Sequence, residues 1–97
     1  MEIRWNRTAI KQLLDIIQFI EENDFENYAV TVEKKILNRI RSLPETFQHH
    51  PLDRYKLNND GTFRAFEFER YRVSFRAKTT EIRILYIRHT SRLPRKH

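Results

Sequence analysis

The residues that could do chemistry crowd into one stretch, YRVSFRAKTTEIRILYIRHTSR, residues 71–92. Five arginines, Arg72, Arg76, Arg83, Arg88 and Arg92, recur through it, and a lone histidine, His89, stands near its end. A guanidinium is planar and permanently charged, so it meets a phosphate with two parallel hydrogen bonds and stacks on bases. An imidazole titrates near neutrality and can give or take a proton. A sheet face that needed only water would be served as well by lysine, threonine, glutamate or glutamine. Arginine here points to a polyanionic partner, either nucleic acid or an acidic protein.

The charge distribution supports that reading. Residues 1–53 hold seven Lys/Arg against nine Asp/Glu, a balance of −2. Residues 54–97 hold twelve against four, a balance of +8, and nine of those twelve cations are arginine. A surface built only for solubility would mix the signs. The chain has no cysteine, which excludes a disulfide scaffold and any thiolate metal site. Four histidines supply no third ligand at a recognisable spacing, so no metal is expected. There is no phosphate-binding glycine loop, no dinucleotide fingerprint and no Ser-His-Asp order, and no cofactor is expected.

Those side chains need elements to hold them. Ninety-seven residues predict a single domain over 1–97, with a basic tail from about residue 90. EIRW alternates and predicts a strand over 2–5. Asn6 stands where a helix cap belongs, and Ile10, Leu13, Leu14, Ile17 and Ile20 form one helical stripe, predicting a core-facing helix over 7–22. Ala29, Val32, Ile36, Ile40 and Leu43 form a second stripe, over 24–43, stopped by Pro44. The link is too short for anything but an antiparallel hairpin. Residues 44–61 read as loop, with His49 and His50 in solvent. Three alternating runs then predict strands near 63–69, 71–78 and 81–89 in an antiparallel meander that the first strand must join. The expected fold is α+β: an N-terminal strand and a helix hairpin packed on one face of a four-stranded, mainly antiparallel sheet. In the last run both faces carry apolar residues, as a central strand would. The window LLDIIQFI is short and carries Asp15, so it reads as a buried helix face and not a membrane span. MEIRWNR has no signal-peptide pattern, and a cytoplasmic protein is expected.

With this element order and size, FRAFEFERYRVSFRA and EIRILYIRHTSR, with its closing His-x-x-Arg, resemble the RelE/ParE superfamily of bacterial type II toxins over nearly the whole chain. The resemblance implies a small basic toxin held inactive by a cognate antitoxin. The superfamily has two activities: one branch cleaves mRNA in the ribosomal A site, and the other poisons DNA gyrase without nuclease residues.

Metal-free RNA cleavage needs a base for the 2′-hydroxyl, cations for the transition state and an acid for the leaving oxygen. On the nuclease branch the resemblance assigns Arg64 to the scissile phosphate and His89 to proton transfer, with Arg72 and Arg88 assisting. Lys56, Arg83 and Arg92 would contact RNA. Asp53 is the carboxylate nearest the place of the family's general base. Against this, Arg72 could simply pair with Glu67 or Glu69 across the hairpin. The lysine density of strongly nucleolytic members is missing, and a His-x-x-Arg ending is equally at home in the gyrase branch. The arginines on the strands favour mRNA cleavage on the ribosome. Gyrase poisoning is the alternative, and an inactive antitoxin-binding module is the second.

Overall fold

A computed structural model describes residues 1–24, 26–91 and 96–97. The chain folds as β1 (Glu2–Trp5), α1 (Arg7–Asn23), α2 (Glu26–Arg41), α3 (Leu43–Thr46), a 3₁₀ turn (Phe47–His49), β2 (Phe63–Phe68), β3 (Tyr71–Ala77) and β4 (Glu81–His89). The sheet order is β1-β4-β3-β2. The three later strands form the antiparallel meander, and β1 lies parallel to β4, with Ile3 beside Ile82 and Trp5 beside Ile84. This is the expected α+β architecture, with β4 as a central strand.

The apolar stripe of α2 is buried from Ala29 through Ile40, as is Leu43 just beyond it. With Ala9, Leu13 and Ile20 of α1, these residues pack on Phe66, Tyr71, Val73, Phe75, Ile82, Ile84 and Ile87 of the sheet. Burying such side chains is worth about 1.5–3 kcal/mol each. On α1 the structure departs from the stripe: Ile10 and Leu14 are 44% and 61% exposed. The buried face of α1 runs through Ala9, Leu13 and Ile20, and Ile10 and Leu14 each follow one of these residues by a single position, about 100° round the helix.

Three local features differ from expectation. Asn6 sits at the N-cap of α1, but its side chain makes no capping bond and accepts instead from Arg83 at 3.2 Å. Pro44 does not open a loop; it occupies the first turn of α3, where its missing N–H has no partner to lose. The double-faced apolar pattern of β4 has a cause: Ser74 pairs with Tyr86 but Phe75 with Ile84, so Leu85 is an extra residue that shifts the phase. Ile82 and Ile84 before the bulge, and Ile87 after it, all reach the same core.

Among the described residues no helix is long and apolar enough to cross a membrane.

Candidate functional site: the outer sheet face

Residues directly opposite on neighbouring strands share a face. Arg72 lies opposite Arg88, and Arg76 opposite Arg83, so these four side chains line the face turned away from the helices. Arg64 lies opposite Phe75, and His89 opposite Tyr71, which puts both on the helix side. Phe75 and Tyr71 are four residues apart on β3, about 13 Å along the strand. The structure thus brings Arg72 and Arg88 together around a small cavity that His89 also borders, and it separates Arg64 from all three.

The outer arginines are mostly engaged. Arg72 donates to Asp53 at 3.0 Å, lies 3.8 Å from Glu67 and stacks over Tyr55 at 4.9 Å. Its strongest partner is therefore Asp53, nineteen residues away in sequence, and not its hairpin neighbour. Arg76 is held by Thr62 and Asp60. Arg83 donates to Glu81 at 3.1 Å and to Asn6. Lys56 donates to the Leu57 carbonyl and stacks over Phe63 at 4.6 Å. Arg88 lies over the Tyr86 ring at 4.5 Å and, among the described residues, meets no carboxylate. Arg92 lies outside the described residues.

On the helix side, Arg64 donates to the His50 carbonyl at 2.6 Å. The Ser91 N–H donates to Nδ1 of His89 at 3.1 Å, which leaves the proton of a neutral ring on Nε2. The same ring meets Tyr71 edge-on at 5.5 Å. His50 is not in solvent. Its ring packs on Phe66 at 5.0 Å and on the edge of Phe75. Burial, then the charges of Arg39, His49 and Arg64, hold its pKa below the ordinary 6.5.

Asp53 is the hub of the outer face. It is 2% exposed. It accepts from Arg72, from the Tyr55 N–H and from His97. Burial pushes its pKa up, but those three hydrogen bonds outweigh burial and hold it below the ordinary carboxylate value. Such a carboxylate is a structural anion, ill suited to take a proton from a hydroxyl. Beside it lies a cavity of about 30 Å³, bordered by Glu67, Arg72, Tyr86, Arg88, His89 and His97 among others, with room for one water. Sequence reasoning placed Asp53 near the site but found neither the partnership with His97 nor the aromatic floor of Tyr55 and Tyr86. No short-range signal links these residues. Among the described residues no group of three or more His, Asp or Glu could hold a metal ion.

Comparison with known proteins gives a family and a fold. Residues 3–94 match the family model described as "ParE toxin of type II toxin-antitoxin system, parDE". No curated protein matches significantly. Among solved structures, a chain of the "Chromosomal ParDE TA system from P. aeruginosa" superposes with a TM-score of 0.71 at 21% identity, covering 92% of this chain and 95% of that one. At that identity the likeness is one of fold.

Proposed function

Because the chain belongs to the family of ParE toxins of type II toxin–antitoxin systems, we propose that it arrests growth by gripping a protein target, DNA gyrase, and not by cutting mRNA. The family implies a cognate antitoxin as its resting partner. The observation that carries the reading is the scatter of the would-be nuclease groups. Arg64 and His89 lie apart on the helix side, while Arg72 is locked to Asp53 on the other face. General acid–base cleavage needs its donor, acceptor and cation within hydrogen-bond reach of one phosphodiester. A protein-gripping toxin makes no such demand.

The competing arm, cleavage of ribosome-bound mRNA, keeps one argument: Arg72 and Arg88 face each other on the outer sheet, and like charges set opposite one another favour an anion between them. Induced expression separates the readings. Growth arrest with intact mRNA by primer extension, and with gyrase trapped on DNA, is the expected result. Arg64→Ala and His89→Ala should then keep toxicity. Cleaved ribosomal mRNA that disappears with Arg64→Ala would return the protein to the nuclease branch. Unimpeded growth on expression of the folded chain would make it an inactive antitoxin-binding module.

A further inference from the structure

The two carboxylate oxygens of Asp53 are served by different parts of the chain. Oδ1 accepts from Arg72 and from the Tyr55 N–H, both at 3.0 Å. Oδ2 accepts from Nε2 of His97 at 2.8 Å. The Asp53 side chain is 1% exposed, so water is a poor substitute for a missing donor. His97 is also held through its backbone. Its N–H donates to the Tyr55 carbonyl at 2.9 Å, and its carbonyl accepts from the Leu57 N–H at 2.7 Å. The imidazole meets the Tyr86 ring edge-on at 5.1 Å. Residue 97 is therefore seated beside residues 55–57, with its ring in a socket that has a carboxylate floor and an aromatic wall.

We infer that this socket is a binding site for one imidazole or other basic nitrogen donor, filled in the intact chain by its own His97 and open to an added donor once that ring is removed. The chemistry selects a cation. The floor is an ionised carboxylate, and Tyr86 presents a π system that favours positive charge. The two neighbouring guanidiniums do not compete for Oδ2: Arg72 is turned to Oδ1, Glu67 and the Tyr55 ring, and Arg88 to the Tyr86 ring. An anion entering here would meet the Asp53 charge. The socket is built from the loop before β2 (Asp53, Tyr55 and Leu57), from Tyr86 of β4 and from residue 97.

The test uses the full chain and imidazole itself as probe. In His97→Ala, exchange of the Leu57 amide should quicken roughly tenfold or more, the scale of a lost charge-assisted hydrogen bond. Added imidazole should shift the Tyr55, Leu57 and Tyr86 resonances saturably in that variant and leave the wild type unmoved. Acetate should do nothing in either. His97→Gln keeps a nitrogen donor and should keep much of the Leu57 protection. The same titration of His97→Ala with Asp53→Asn should lose the imidazole response while the core resonances stay dispersed. A wild type that answers imidazole as strongly as His97→Ala, an acetate response equal to imidazole's, or no saturable response would each overturn the site.

Discussion

The outer sheet face and the outer side of the helix hairpin are opposites in what they leave unsatisfied. On the sheet, Arg72, Arg76 and Arg83 each meet an acidic side chain, and four cations there lie over aromatic rings. The richest charge in the sequence is largely consumed within the fold. On the hairpin, Ile10, Leu14, Phe19, Tyr28 and Val30 are between 44% and 64% exposed. Charge density in a sequence thus reports where ion pairs form, and only the remainder is available to a partner. Exposed apolar residues one helical turn apart are such a remainder.

The sharpest way to break the contrast is Asp53→Ala. It removes the one buried anion that holds Arg72, whose side chain is itself only 15% exposed. Leaving a buried charge unpaired costs about 3–5 kcal/mol, read as a lowered urea midpoint. A cost under 1 kcal/mol would mean that the outer face is a solvated surface and not a locked lattice.

Acid should separate the two faces next. His50, on the helix side, has a folded pKa below 6.5. The unfolded chain therefore takes up its proton first, and stability declines as pH falls from about 6.5 through the folded value. Asp53, on the outer face, has a folded pKa below 3.8, so its contribution is intact above that value and is lost only as pH falls through its folded pKa. Stability measured against pH should fall in two stages, and His50→Phe should remove the upper one. A single stage near pH 4 in the wild type would show that the His50 ring is solvated.

These two residues also mark what the sequence could and could not tell. The core of α2 and the alternation of β3 were legible because each is a local period: Val32, Ile36 and Ile40 repeat at helical spacing, and Tyr71, Val73 and Phe75 at strand spacing. The Leu85 bulge was legible only as an oddity, apolar residues on both faces, because a bulge is defined by the partner strand. His50 was misplaced because its neighbours Phe66 and Phe75 come from strands far along the chain. The Asp53–His97 contact spans forty-four residues and leaves no periodic trace. The arginines were read as open to a polyanion, with Glu67 or Glu69 the only partner foreseen for Arg72, because the counter-charges Asp53 and Asp60 sit in the loop before β2. Exposure of Ile10 and Leu14 follows from the buried face of α1 centring on Ala9, Leu13 and Ile20, a choice of face that the broad apolar stripe leaves open.

A smaller effect calibrates the outer face. The Arg76–Asp60 pair is partly exposed, with Asp60 53% open to solvent. Arg76→Ala should cost no more than about 1 kcal/mol in folding. Its larger consequence should appear in antitoxin association, where a rim charge acts on the encounter rate and its salt dependence. An unchanged on-rate, in both wild type and variant, between low and high salt would remove electrostatic steering from the account.

The smallest folding effect belongs to the hairpin. Leu14 is 61% exposed, and glutamine is about as good a helix former, so Leu14→Gln should move stability by less than about 0.5 kcal/mol. The substitution adds no charge, so it leaves the steering tested by Arg76→Ala untouched. If the antitoxin covers this side, burial of one leucine is worth about 1.5–3 kcal/mol, and its loss should raise the dissociation rate tenfold or more while the on-rate holds. Ile10 lies one turn before it, and Ile10→Gln should repeat the result more weakly, since Ile10 is already more covered. The two variants form a cycle with Arg76→Ala: dissociation changes on the hairpin and association changes on the sheet. An antitoxin complex whose lifetime is unaltered by both hairpin variants would mean that these apolar residues are the ordinary leftovers of a small protein, and that the partner is held elsewhere.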